Sequence, residues 1–267
     1  AHGINNYLVE GGGWEAFLGA AKEGRLDTVQ LIFEMSDVDS NYARTAYLLA
    51  AQAGRLNVVE YFVGRGADVK SCADHEGMTA CILAAQAGHL NLVQYCLERG
   101  ADVNHADNVG WTACFCAAQE GHLNVFDYLI REKGVDVDYQ AGDDAKLTAC
   151  LIAASNGRLG IFKYCMEKSV WGAGQRDGRG MTPCLVAAAR GHLDIVRYCF
   201  EEKGVYRYEK NNNGATACLV AASAGHLNIV EYCLKTRCMD VDHKDNSGLT
   251  TCLWAAFCGH LDIVKLC

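Results

Sequence analysis

The sequence predicts an all-α fold, an array of stacked antiparallel helix pairs joined by hairpin-like connections. Three observations carry this expectation. The triplet Gly-His/Arg-Leu occurs eight times, beginning at Gly24, Gly54, Gly88, Gly121, Gly157, Gly191, Gly225 and Gly259, with spacings of 30, 34, 33, 36, 34, 34 and 34 residues. An Ala-Ala pair ends three residues before each of those glycines, as in Ala84-Ala85. From the second unit onward a threonine stands nine residues before the glycine, at Thr45, Thr79, Thr112, Thr148, Thr182, Thr216 and Thr250. Self-similarity of this period is the mark of a repeat architecture, in which a unit buries its apolar face only against its neighbours.

Within a unit the elements follow in order. The threonine suits a helix N-cap, and the only proline, Pro183, falls directly after Thr182, where its missing N–H costs nothing. The Ala-Ala pair lets neighbouring helices approach closely, and the glycine ends the first helix where the chain turns. A second helix begins near Asn91 or Asp194, with Leu90, Val93, Cys96 and Leu97 on one face at spacings of three and four. A turn-rich stretch, Arg99 to Asn104, then leads to Asp107 and Gly110 of the next unit. The units fall at about 14–40, 41–74, 75–107, 108–143, 144–177, 178–211, 212–245 and 246–267, the last incomplete, after an N-terminal arm at 1–13.

Composition bounds the function. With 51% apolar and 21% charged residues the chain is not of a disordered class. No apolar run approaches the roughly 20 residues of a membrane span, so direct membrane insertion is not expected. A net charge of -8 disfavours nucleic acid and acidic membrane surfaces as partners. Fifteen cysteines in a long chain without an Asn-x-Ser/Thr acceptor point away from a small disulfide scaffold and toward a reducing, intracellular compartment, with the cytoplasm as the expected location.

The pattern T-x-x-x-x-A-A-x-x-G-H-L-x-I-V-x-Y, followed by G-A-D-V-N, resembles the ankyrin repeat over residues 14–267. The resemblance implies an arc of helix pairs with hairpins projecting from one edge, and a protein or peptide partner on the concave side. It also implies asparagine hydroxylation at Asn104, in the hairpin segment Leu97 to Asn104. One departure recurs: the family's T-P-L-H box reads Thr79-Ala80-Cys81-Ile82 or Thr216-Ala217-Cys218-Leu219 here. The box histidine and its hydrogen bond to the threonine are therefore expected to be missing, with local packing in compensation.

The tempting chemistry dissolves into packing. Cys81, Cys114, Cys150, Cys184, Cys218 and Cys252 stand two residues after the threonine, and Cys96, Cys165, Cys199, Cys233 and Cys267 lie on second helices. A column of metal or redox sites is one reading; small buried core residues are the stronger one, because no pair has zinc-finger spacing. Cys72, Cys116, Cys238 and Cys258 break the repeat and are expected to be exposed. His89, His122, His192, His226 and His260 exchange with arginine at the turn, which suits structure rather than catalysis, and His2, His75, His105 and His243 have no motif around them. Gly172 to Gly178 lacks the lysine of a phosphate loop, and Asp143-Asp144 and Glu201-Glu202 fall in connections as solvated charge. No catalytic residue, cofactor or metal is expected, and the chain does not read as an enzyme.

The binding expectation rests on two sets of positions that the resemblance places on the concave side. Before the threonines stand Arg44, Met78, Trp111, Leu147, Met181, Ala215 and Leu249, five of them large and apolar at a place where wet hairpin tips are expected. Beside them come Gln86, Gln119, Glu120, Asn156, Arg190, Phe257 and Cys258. Aromatic and apolar anchors next to polar groups have the anatomy of an interface. The expected partner-binding residues are Met78, Trp111, Leu147, Met181, Leu249, Gln86, Gln119, Arg190 and Phe257. A protein-interaction or scaffold module is the leading reading. A structural part of a larger cytoskeletal or membrane-associated assembly is the alternative, and a thiol-based metal or redox sensor the weaker third. The last unit stops inside its second helix, so a longer polypeptide, a capping helix or a partner subunit is expected to cover Ile263, Val264 and Cys267.

Overall fold

The computed structural model describes residues 13–36, 38–141, 146–169, 174–203, 208–236 and 242–267, the side chains of residues 202 and 203 excepted. His2, Asp143, Asp144, Gly172, Ala173 and Cys238 lie outside the described residues, as does the arm at 1–12. Among the described residues the regular structure is helical, with only isolated β-bridges beside it. The chain divides into two compact units, Ala1–Val135 and Asp136–Cys267.

In the first unit the helices are α1 (Gly13–Glu23), α2 (Leu26–Met35), α3 (Ser40–Gln52), α4 (Leu56–Gly64), α5 (Ala80–Ala87), α6 (Leu90–Glu98), α7 (Ala113–Glu120) and α8 (Leu123–Arg131). Odd-numbered inner helices pack side by side in chain order, and each also packs on the outer helix that follows it. The second unit repeats the plan with α9 (Ala149–Ser155), α10 (Leu159–Lys168), α11 (Pro183–Arg190), α12 (Leu193–Tyr198), α13 (Ala217–Ala224), α14 (Leu227–Lys235), α15 (Thr251–Cys258) and α16 (Leu261–Leu266). A single π-helical turn, Cys199–Lys203, prolongs α12.

The inner helices are short, seven to eight residues from α5 onward, too short to be stable alone. Packing holds them: Ala84, Ala85, Ala117 and Ala118 are fully buried, so the alanine pairs do bring inner helices into contact. The threonine caps are present. The Thr79 hydroxyl accepts from Ile82 N–H at 3.4 Å, and Thr112, Thr148, Thr182 and Thr250 do the same for the residue three further on. Thr216 starts α13 in an extended conformation without a side-chain cap bond.

Thr45 departs from the expectation. It lies inside α3, its hydroxyl donating back to the Asn41 carbonyl at 2.7 Å, and Asp39 is the cap instead, accepting from Asn41 N–H at 2.7 Å. The cause is the short spacing of 30 residues between Gly24 and Gly54. No room remains for a hairpin, so the chain enters α3 early, and the extra turn carries Tyr42, whose ring stacks on Trp14 of α1 at 4.5 Å.

Glycine ends the inner helices for two reasons at once. Gly88 has φ +81°, a left-handed conformation, and a Cβ there would lie 2.5 Å from Nδ1 of His122. That histidine explains the turn triplet. Its Nε2 faces the Gln86 carbonyl at 3.0 Å, one helix pair back. His89 meets the Gln52 carbonyl at 3.2 Å, and in the second unit His192, His226 and His260 meet those of Ser155, Ala189 and Ser223 at 3.0, 3.1 and 3.1 Å. Arg55 donates from Nε to the Lys22 carbonyl at 3.0 Å, so histidine and arginine exchange because each presents an N–H to the same main-chain acceptor.

Candidate functional site

The connections between helix pairs are narrow fingers built on one repeated turn. Asp74 Oδ1 accepts from the N–H groups of Glu76 and Met78, both at 2.9 Å, and Gly77 supplies the positive φ of +84°. Asp107, Asp177, Asn211 and Asp245 anchor the later fingers in the same way, for example through Trp111 N–H at 2.7 Å. The rule, Asp or Asn four residues before the residue that precedes the threonine, is open to sequence reading yet stands outside the expectations above. Burial pushes the Asp245 carboxyl up, but the N–H of Leu249, the Trp254 indole N–H at 2.8 Å and the N–H of Ser247 together hold it below the usual carboxylate range.

Successive fingers are tied by main chain. Asn108 N–H donates to the Glu76 carbonyl at 2.9 Å, and its side-chain amide donates to the His75 carbonyl at 3.0 Å. In the second unit Asn212 N–H reaches the Arg179 carbonyl, and Asn246 N–H that of Asn213. These pairs of fingers are therefore fixed against one another at their tips within each unit.

On that face of the first unit lies a groove of about 420 Å³ between α3, α5 and the finger carrying Met78. It brings together three positions singled out in the sequence: Arg44, Met78 and Gln86 all line it. Leu48, Leu83 and Met78 form an apolar floor, each less than a tenth exposed. Arg44, His75 and Glu76 form an exposed, polar rim. Trp111, on the next finger, is half-buried, with its ring edge-on to Phe115 at 6.2 Å. Gln119 donates to the Glu120 carboxylate at 2.9 Å.

The continuous exposed ridge expected from the residues before the threonines does not form. Met78 and Met181 are 8% and 6% exposed, and Ala215 is buried. The flexible Met78 and Met181 side chains fold beneath their fingers, whereas Trp111 and Leu249, held by the same turn bond, stay half-buried. In the second unit Met181 sulfur faces the Asn211 amide at 3.5 Å. Leu147 and Leu249 are half-buried, while Arg190 and Phe257 are exposed, the Phe257 ring standing edge-on to Trp254 at 5.8 Å.

The thiols divide by register. Cys81, Cys114, Cys150, Cys184, Cys218, Cys96, Cys165, Cys199 and Cys233 are buried, and no disulfide joins the described cysteines. Burial pushes the Cys81 thiol up to about 12, and Cys150 and Cys184 are raised by the hydrogen bonds their own thiols donate to Cys165 and Cys199, together with burial. Cys218 differs: Cys233 and the Thr251 hydroxyl, 3.6 Å away, both donate to it, and its pKa is lowered despite burial. Three expectations need correction. Cys116 is buried at 4% because it follows the helix face that carries Leu83 in α5, while Cys252 is half-buried and Cys267 exposed because, among the described residues, α15 and α16 pack only on each other and on the helix pair before them. Cys72 is half-buried and Cys258 exposed.

The ankyrin repeats (3 copies) family model matches residues 49–141 and 201–267. The chain belongs to the ankyrin repeat family. Ankyrin repeats generally mediate protein–protein interaction, and the family is typically non-enzymatic. No curated protein matches the chain at a significant level. The repeat box of this ankyrin protein keeps the threonine and has Cys81-Ile82 or Cys218-Leu219, all buried, where the family box has leucine and histidine. Among the described residues, no helix is long and apolar enough to cross a membrane, and no group of three or more His, Cys, Asp or Glu is placed to hold a metal.

Proposed function

We propose that this ankyrin protein is a recognition module that binds a peptide or a folded protein on the face between its fingers and inner helices, without catalysis or cofactor, in the cytoplasm. The observation that carries the reading is the groove at Arg44, Met78 and Gln86. An apolar floor takes a partner's side chain, and the side-chain amides of Gln52 and Gln86 on its flank suit the main chain of an extended segment. Trp111 on the neighbouring finger is the aromatic anchor.

The test begins with peptides selected from a random library against the whole chain. Selected peptides should lose about 2 kcal/mol of binding with Trp111→Ala, and should weaken again with Glu76→Lys or Gln86→Ala, while each variant keeps its melting temperature. Peptides that bind all three variants as tightly as the unmodified chain would remove this face from the reading.

A further inference from the structure

We propose that the first unit contains a second binding site, for a small amphipathic carboxylate, in the space left by its missing finger. A cavity of about 390 Å³ lies between the end of α2, the first turns of α3, the end of α4 and the segment that follows α4. Its volume is that of small-ligand sites. The cavity follows from the sequence: with only 30 residues between Gly24 and Gly54, no hairpin fills the edge that fingers fill further along the chain.

The walls have two characters. Phe33, Val38 and Phe62 present apolar surface. Arg44 and Arg65 supply positive charge at the border. Arg65 is already engaged, by Glu34 at 2.8 Å and by the rings of Phe33 and Tyr61. Arg44 is exposed, donates to the neutral Asn41 side chain at 3.1 Å, and has no carboxylate partner among the described residues. A carboxylate is the group that a guanidinium fork fits best.

The independent pointer is Tyr47. It also lines the cavity, is 0% exposed, and its hydroxyl has no hydrogen-bond partner. In register it stands two residues after Thr45, the place filled by cysteine at Cys81, Cys114, Cys150, Cys184, Cys218 and Cys252. A buried thiol tolerates such a site; a buried phenol left unpaired is costly. A molecule in the cavity that displaces the side chains now covering the hydroxyl and offers it a polar atom removes that cost. The ligand class that meets all three demands has a compact apolar body and one carboxylate, whose oxygens accept from Arg44 and from the Tyr47 hydroxyl. This inference goes beyond the groove reading and does not rest on it.

The probe is 4-phenylbutyrate, with 4-phenylbutanol as its uncharged counterpart, titrated into the whole chain by calorimetry and followed by ligand-observed NMR. Saturable binding of the carboxylate is expected, with the alcohol weaker by about tenfold or more. Tyr47→Phe should weaken binding by about fivefold while keeping or raising the melting temperature, because it deletes the orphan hydroxyl. Arg44→Gln should weaken it by about tenfold, and Ala43→Leu, which fills the cavity mouth, should abolish it. No saturable binding, or equal binding of acid and alcohol, overturns the proposal, as does an unchanged affinity in Tyr47→Phe; in those cases the cavity holds water only.

Discussion

A cysteine in this protein is first a small core residue, and its neighbours decide how far it is anything more. In register, Cys81 and Cys96 are enclosed between the two helices of one pair, and burial raises both thiols. A thiol reacts as its thiolate and only where a reagent can reach it. Iodoacetamide at neutral pH should therefore label exposed Cys258 first, Cys72, Cys252 and Cys267 more slowly, the last because burial pushes its thiol up to about 11, and the nine buried register cysteines only after denaturation. Peptide mass mapping reads the order directly. Cys218 is the discriminating residue, since it has donors that favour its thiolate but only 2% exposure; early labelling there would mean that α13 and α15 separate readily.

At the level of the element, glycine has two opposite roles. Gly88 ends α5 with φ +81° and a histidine ring where its side chain would be. Gly19 sits inside α1, and a Cβ added there would meet nothing within 4 Å. Gly88→Ala should then cost about 2 kcal/mol or more from left-handed strain and the clash with His122, whereas Gly19→Ala should add about 0.5–1 kcal/mol of stability. Urea melts of the two variants check both signs. The elements themselves were legible in the sequence because each is announced by a residue with one physical job: threonine to cap, alanine to admit a neighbour, glycine to reverse. What was not legible was the consequence of a shortened spacing. Removing a finger did not shift the pattern by a few residues; it turned Thr45 from a cap into a helix-interior residue and lengthened α3 to thirteen residues. The site was legible only in part for a related reason. Position in the register told which residues stand at the base of a finger, but the same Asp-anchored turn carries both buried Met78 and Met181 and half-buried Trp111, so burial there depends on the side chain and its neighbours.

Across the whole molecule, stability in each unit accumulates from contacts between adjacent pairs, so the same residue type is worth different amounts at different places. Leu219 and Leu253 occupy the same register position, three residues after their threonines. The first is 1% exposed and the second 50%. Leu219→Ala is expected to cost about 2–5 kcal/mol, as for a fully enclosed leucine, and Leu253→Ala less than half as much. Comparison of the two by chemical denaturation tests whether neighbour contacts set the value; equal losses would mean that each helix pair is stabilised mainly from within.

The turn histidines have a bearing on how such a protein can change its partners. Each grips a carbonyl oxygen, never a side chain, and the residues that lend those oxygens are as different as Gln52, Gln86, Ser155, Ala189 and Ser223. Two of those residues, Gln52 and Gln86, line the groove. On the proposed recognition, one amino acid thus serves two masters: its main chain is committed to the stack and its side chain is available to the partner. Mutation can rewrite what the face reads without touching the joint beneath it, so the vocabulary of recognition is free to drift while the grammar of assembly stays constant.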